Sequence, residues 1–171
     1  MHKDADRLTI VPELKIDWKG IFEFSDLYKK MKVWLYYEGY GDENDNFIED
    51  KYIERIRPFG KIVEARWYGE KPINDYVSNF ISVTFQGIAL QDTEVAYEGR
   101  KIKMNKGQVI LRIKGELILN RQGKFERDSF LKKVHDRKIF RKNIDLYKEE
   151  LYKKVTDFYT EIKAYLNLHQ F

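Results

Sequence analysis

The sequence predicts an α+β fold, in which an antiparallel β-sheet of about five strands in meander order is covered on one face by an N-terminal helix and a long C-terminal helix. From Val109 to Leu119 apolar and polar residues alternate, as in a strand with one buried and one wet face. Before and after the strand region, apolar residues recur every three or four positions, as in helices. Strands that follow one another, with helices at the ends, favour α+β over parallel α/β.

The first helix is predicted in the segment FSDLYKKMKVWLYYEGY. Ser25 is a suitable N-cap, and Asp26 places a negative charge at the positive end of the helix dipole. Gly39 is suited to the end of the helix. Residues 8–22 are predicted as extended chain, and residues 1–7 as a flexible tail.

The strands are predicted between residues 46 and 120. Residues 46–57 remain open between strand and helix, because their apolar residues are also helically spaced. The later segments alternate clearly, and Glu98-Gly99 predicts a tight hairpin. Asn105-Lys106-Gly107 predicts a further turn, and Gly115 interrupts the last alternating segment.

Two helices are predicted after the sheet. A short basic helix is expected over about 128–139. A long helix is expected over about 143–167, a length of about 37 Å at 1.5 Å per residue. Its apolar positions form a nearly heptad-spaced line: Ile144, Tyr147, Leu151, Val155, Phe158, Ile162 and Tyr165. This line either covers the sheet or extends beyond it to a partner.

Length and composition indicate one domain from residue 1 to residue 171. The absence of cysteine excludes disulfides, cysteine-ligated zinc, iron–sulfur clusters and a thiol nucleophile. No stretch approaches 18 apolar residues, and the charged start MHKDADRLTI does not resemble a signal peptide. We therefore expect a soluble cytoplasmic protein.

The stretch GDENDNFIED carries five acidic residues and no basic one, which makes it a candidate partner surface: Asp42, Glu43, Asp45, Glu49 and Asp50. Compared with a calcium loop that starts at Asp42, it offers weak candidate metal ligands: Asp42, Asn44, Asn46 and Asp50. The loop positions that call for glycine and glutamate are Phe47 and Ile53, which favours a solvated loop over a metal site. No cofactor is predicted.

Residues 121–142 have the opposite charge, with nine basic and three acidic residues and a net charge of +6. The candidate partner-binding cations are Lys132, Lys133, Arg137, Lys138, Arg141 and Lys142. This segment and the acidic stretch could pair within one chain or between copies, or the basic helix could bind phosphate groups in a nucleic acid or on a membrane surface. A simply solvated helix face is the fourth interpretation.

Catalytic patterns are weak in this sequence. The three histidines, His2, His135 and His169, lack metal-ligand spacing, and no serine lies in a nucleophile-elbow context. The best-supported hypothesis is a non-enzymatic binding or assembly subunit that acts through self-association or protein–protein contacts. A nucleic-acid-binding accessory protein using residues 121–142 is the alternative, and an enzyme with a site not visible in the sequence is the second alternative.

Four segments together resemble a group of small archaeal proteins that have no assigned activity: DWKGIFEFSDLYKKMKVWL, EARWYGEK, MNKGQVILRIKGELIL and EIKAYLNL. The resemblance implies a soluble prokaryotic protein. It transfers no functional residue.

Overall fold

A computed structural model describes residues 5–41, 47–97, 99–126, 129–134 and 141–168. Within these ranges the elements are β1 (Asp6–Phe22), α1 (Phe24–Tyr37), β2 (Phe47–Arg57), β3 (Gly60–Pro72), β4 (Val77–Tyr97), β5 (Arg100–Leu119), α2 (Phe130–Val134) and α3 (Arg141–Leu168). The strands form one antiparallel sheet in the order β1-β5-β4-β3-β2. The predicted α+β fold is therefore confirmed.

The path of the chain explains how α1 comes to cover the sheet. Strands β2 to β5 follow one another as neighbours, and β1 pairs with the free side of β5. Because β1 and β2 are the two edge strands, α1 carries the chain from one edge of the sheet to the other. Helix α3 then packs mainly on β1 and β5 and contacts α1. Both helices lie on the same face. We call the opposite face the open face: the described residues at its centre, Arg66, Thr84 and Arg112, are at least partly exposed, whereas Ser78 and Ile118 near its end are buried.

The core lies between the helices and the covered face. Trp67, Phe85 and Leu111 project from three adjacent strands and are fully buried. Where the two helices meet, Trp34 and Phe158 stack with their ring centroids 4.4 Å apart. Burial of aromatic and aliphatic side chains of this size supplies most of the stability of such a layered fold.

The N-terminal part of the fold differs from the sequence-based predictions. Residues 8–22 form most of a 17-residue strand, and Asp6 and Arg7, predicted as flexible tail, belong to it. Residues 47–57 form β2, which settles the open choice in favour of a strand. Helix α1 begins at Phe24 rather than after Ser25, and its N-cap residue, Glu23, makes no side-chain cap hydrogen bond. Instead Asn105 of β5 accepts a hydrogen bond from the Phe24 N–H at 3.1 Å.

Two predictions for the later part of the chain are also corrected. Asn105-Lys106-Gly107 is not a turn, because β5 runs straight through it and pairs there with both β1 and β4. Gly107 is required by close packing, since a Cβ atom there would come within 2.7 Å of Leu90 Cδ2. Of the predicted helix over 128–139, residues 130–134 form α2; residues 128 and 135–139 lie outside the described ranges.

Candidate interaction surfaces

The predicted acidic partner surface is only partly covered by the structure. Asp42, Glu43, Asn44, Asp45 and Asn46 lie outside the described residues. Glu49 and Asp50 stand at the start of the edge strand β2. Asp50 accepts a hydrogen bond from Arg66 Nε at 2.7 Å.

Glu49 joins the acidic end of β2 to α1. It accepts a hydrogen bond from the Tyr28 hydroxyl at 2.8 Å and pairs with Lys32. Burial alone would raise the pKa of Glu49, but the hydrogen bonds from Lys32 and Tyr28 outweigh it and the pKa is lowered. Tyr28 in turn packs edge-on against the buried Trp67 ring, 4.9 Å between centroids. Glu49 therefore fixes β2 in place and keeps its negative charge at neutral pH.

The predicted basic surface is also partly described. Lys132 is buried in α2 and pairs with Asp6 at the start of β1, whereas Lys133 is exposed. Arg137 and Lys138 lie outside the described residues, and the side chains of Arg141 and Lys142 are not described. Among the described side chains, the acidic and basic surfaces do not pair with each other. The ion pair with Asp6 attaches α2 to the sheet, and the buried Lys132 is not accessible to a phosphate group.

A second basic surface is formed by the far ends of β4 and β5. The β3–β4 ladder ends at Leu90, and the β1–β5 ladder ends at Asn105. Beyond these residues, and among the residues that the structure describes, β4 and β5 pair only with each other, as far as Tyr97 and Arg100. We call this two-stranded extension, residues 93–97 and 100–104, the arm.

The arm is basic and mostly exposed. Arg100, Lys101 and Lys103 are exposed on β5, and Glu94 of β4 forms an exposed ion pair with Lys101 at 3.3 Å. Val95 and Ile102 face each other across the two strands, and Ile102 is 38% exposed. The sequence-based prediction recognised this hairpin but assigned it no partner. Its signal was present as a run of four basic residues and no acidic one between Arg100 and Lys106.

The arm and the acidic end of β2 lie at opposite ends of the sheet. Glu49 pairs with Trp67 of β3, and Trp67 pairs with Val83 of β4, so Glu49 and Val83 lie at the same position along the strands. Val83 and Val95 are separated by roughly 40 Å along β4, at about 3.3 Å per residue. Glu49 and the outer part of the arm therefore cannot meet within one copy.

The open face of the sheet carries a row of cations. Strand register aligns five residues directly across all five strands, in the order Lys15, Arg112, Thr84, Arg66 and Lys51. Each of the four cations in this alignment forms an ion pair with a neighbouring carboxylate. The pairs are Lys15–Asp17 (3.0 Å), Arg112–Glu13 (3.5 Å), Arg66–Asp50 (2.7 Å) and Lys51–Glu64. We call these five aligned residues the cationic row.

Two carboxylates beside the cationic row have lowered pKa values. A hydrogen bond from Lys51 is the main cause that lowers the pKa of Glu64. Hydrogen bonds from Gln108 and then Lys15 lower the pKa of Asp17. Both carboxylates are therefore ionised at neutral pH.

An aromatic pair lies beside the cationic row on the same face. Tyr68 and Phe80 stack with ring centroids 5.8 Å apart and an interplanar angle of 26°. Arg7 lies over the Phe80 ring at 4.4 Å, and Arg66 lies 5.7 Å from the Tyr68 ring. Both residues are half-buried, and Arg7 and Tyr68 cover part of the Phe80 ring.

A polar cleft of about 540 Å³ lies where the base of the arm meets the start of α1. Its lining includes the carboxylates Glu23, Asp92 and Glu94 and the exposed Lys103. Within the part of the chain that the structure describes, this cleft included, no group of three or more histidine or carboxylate side chains is arranged to hold a metal ion. Of the predicted metal ligands only Asp50 is described, and its carboxylate is bound to Arg66.

The described helices give no candidate membrane span, because none is both long and apolar enough. Comparisons of the chain with protein-family models and with curated proteins find no match. The surfaces described above are therefore interpreted from their own chemistry.

Proposed function

We propose that this chain is a non-enzymatic assembly subunit that self-associates head to tail, with the basic arm of one copy contacting the acidic end of β2 in the next. The observation that carries the proposal is the arm itself: a two-stranded ribbon that extends past both of its neighbouring strands.

The arm is poorly stabilised by its own chain. A two-stranded hairpin is at best marginally stable in water, since three or more strands or a packed helix are needed to bury an apolar face. Among the described residues neither outer edge of the arm has a strand partner. Such an edge is a template for pairing with another chain. Contact with a partner would cover these edges together with the exposed Ile102.

Charge favours a second copy in a head-to-tail orientation. Two arms would bring Arg100, Lys101 and Lys103 of one copy against the same cations of another, and this repulsion disfavours a symmetric arm-to-arm contact. Residues 38–50 carry six acidic and no basic residues and include the start of β2. Because the two surfaces lie at opposite ends of one copy, their pairing is heterologous and generates a ring or an open filament.

The acidic side of this contact comprises Glu49 and Asp50, which the structure positions, and Asp42, Glu43 and Asp45, which the sequence places immediately before them. The predicted basic surface of residues 121–142 is a separate candidate for partner contacts, now without Lys132, which is buried. Attraction between such surfaces is screened by salt, with a Debye length of about 8 Å at physiological ionic strength.

The first test is the molar mass of the unmodified protein by light scattering, at low and at high salt. We expect assemblies larger than one chain at low salt and a shift toward single chains at high salt. A single chain at both salt concentrations would contradict the proposal.

The second test uses two complementary variants. The variant Lys101→Glu with Lys103→Glu reverses the charge of the arm and leaves the acidic end of β2 unchanged. Asp42→Lys with Glu43→Lys and Asp45→Lys removes the acidic end and keeps the arm. Each variant alone is expected to be monomeric, because its arm and its β2 end then carry charges of the same sign. Their equimolar mixture should associate, because the unmodified pair of surfaces and the charge-reversed pair are both complementary.

Alternative contacts give different results in this mixing experiment. If arms paired with arms, the variant with the intact arm would associate on its own. Lys29→Glu with Lys153→Glu, which changes exposed lysines on the two helices by the same charge, is the matched control and should associate like the unmodified protein. If the control lost association equally, net charge alone would explain the effect and the arm would have no specific role.

A further inference from the structure

We propose that the open face of the sheet binds single-stranded nucleic acid, with the cationic row receiving phosphate groups and the Tyr68–Phe80 pair receiving bases. This site is separate from the arm but adjoins the acidic end of β2, because Asp50 accepts a hydrogen bond from Arg66 of the row. It also differs from the basic segment 121–142 suggested by the sequence.

The cationic row is unfavourable for folding by itself. Lys15 lies directly opposite Arg112, and Arg66 lies directly opposite Lys51. Like charges directly opposite each other in an antiparallel pair are destabilising. The four neighbouring carboxylates offset part of this repulsion, and an anion bound along the row would offset it further. A chain of phosphates is a polymeric anion whose charge repeats along a line.

The centre of the row is suited to a phosphodiester. Thr84 lies between Arg112 and Arg66, one strand from each, so the two arginine positions are about 10 Å apart at the usual spacing of strands. Long guanidinium side chains on either side can therefore reach one phosphate, with the threonine hydroxyl between them. Arg112 and Arg66 are 35% and 47% exposed, which leaves donor groups accessible to a ligand.

The carboxylates beside the row hold the cations in position without excluding a ligand. The Arg112–Glu13 contact is 3.5 Å long and Glu13 is 40% exposed, and such exposed ion pairs contribute at most about 1 kcal/mol to stability. Phosphate can therefore compete for these donors. The same carboxylates limit the net positive charge of the face, which limits its affinity for phosphate groups.

The aromatic pair gives the site its preference for bases. Tyr68 follows Arg66 by two residues on the same strand, so the Cα atom of Tyr68 lies about 7 Å from that of Arg66, the proposed phosphate ligand. Bases of single strands stack on exposed aromatic side chains and on arginine planes, whereas bases in a duplex are already stacked. Anionic peptides and membrane surfaces match the cations, but they offer no flat rings to the Tyr68–Phe80 platform.

The binding test is fluorescence anisotropy with labelled twelve-nucleotide strands of U and of dT, measured at several salt concentrations. We expect binding at low salt, with a logarithmic salt slope of about −0.7 for each phosphate that is neutralised. Arg66→Gln with Arg112→Gln should weaken binding about tenfold or more and reduce the slope by about 0.7, because the two arginines contact one phosphate. The control Lys29→Gln with Lys153→Gln should leave the affinity within about twofold, because those lysines lie on the helix side.

A second variant tests the platform separately from the charge. Tyr68→Leu with Phe80→Leu keeps apolar side chains but removes stacking, and should weaken binding about fivefold or more for each base that stacks. Its salt slope should be unchanged, since no cation is removed. Circular dichroism and thermal unfolding of each variant identify any loss of binding that is caused by unfolding.

Several outcomes would overturn this proposal. They are no binding of either strand at low salt, equal binding of a duplex of matching length, or equal loss of binding in the lysine control. Binding of phosphatidylserine vesicles or of a phosphopeptide more tightly than either oligonucleotide would assign the face to that other class of ligand. The arm variant Lys101→Glu with Lys103→Glu should still bind oligonucleotide, which keeps the failure of one proposal distinguishable from the failure of the other.

Discussion

Replacing Gly115 by alanine tests how the long C-terminal helix is seated on the sheet. A Cβ atom at Gly115 would lie 2.9 Å from Val155 Cγ2 and 3.5 Å from Leu151 Cγ, both on the buried side of α3. A valine in a helix strongly prefers one χ1 rotamer, so its methyl group has little freedom to withdraw. Overpacking of this kind costs about 1–3 kcal/mol, partly offset by about 0.4–1 kcal/mol because alanine restricts the unfolded chain.

The paired substitution makes the prediction quantitative. Val155→Ala removes two carbon atoms from a fully buried site and should cost about 2 kcal/mol by itself. In the double variant the clash disappears and the new alanine fills part of the space. We therefore expect the double variant to be at least about 1 kcal/mol more stable than the sum of the two single effects.

The assay is urea unfolding with linear extrapolation, performed at high salt so that association does not contribute. All four proteins of the cycle should have the same slope against urea concentration. If the two effects added to within about 0.5 kcal/mol, Gly115 and Val155 would not be in contact and the described seat of α3 would be wrong.

Three further predictions concern the anchors of the helices and of β2. Asn105→Ala should destabilise the protein by about 1 kcal/mol, because Asn105 caps α1, whereas Ser25→Ala should have almost no effect in the same urea assay. Glu49 has a folded-state pKa below its ordinary value of 4.5, so the stability that it contributes is present above pH 4.5 and is lost as the pH falls through the folded-state pKa. Glu49→Gln should therefore be less stable than the unmodified protein at pH 7 and nearly equal to it at low pH. An equal difference in stability at both pH values would contradict this role. Phe158→Ala should cost about 3–5 kcal/mol, since it removes a fully buried ring that stacks on Trp34, and Phe158→Leu clearly less; calorimetric melting of both variants provides the comparison.

The alternation of Val109 to Leu119 and the helical spacing at both ends of the chain were sufficient to predict the layers of the fold. These patterns are local, and burial on one face enforces them directly. Gly115 was predicted as an interruption of the pattern, and the structure shows it on the buried parity of β5, facing α3. From the sequence alone, a glycine that interrupts a strand pattern cannot be distinguished from a glycine that makes room for a neighbouring helix. Only the position of α3 shows that Gly115 makes room for it.

The errors have the same physical origin. Asn105-Lys106-Gly107 has the composition of a turn, but pairing with strands on both sides holds it extended. Ser25 is a good local cap, yet the cap comes from Asn105, 81 residues away from Phe24 in the chain. Lys132 was assigned to a basic surface because its neighbours are charged, and its burial against Asp6 depends on where β1 begins.

The cationic row could not be predicted from the sequence at all. Its five members come from five different strands, and they align only through the register of four ladders. A shift of one residue in any ladder would move its members to the covered face. The arm, in contrast, could have been suspected from the basic run that starts at Arg100, since the hairpin itself was predicted.

Cross-linking between differently labelled copies tests the proposed assembly most directly. Equal amounts of unlabelled and nitrogen-15-labelled protein are mixed at low salt, and a carbodiimide joins lysines to carboxylates that are in contact. The account predicts mixed-label peptides that join Lys101 or Lys103 to the acidic residues of segment 42–50, and their loss at high salt. Recovery of same-label pairs only, or of mixed-label pairs that do not involve the arm, would contradict it.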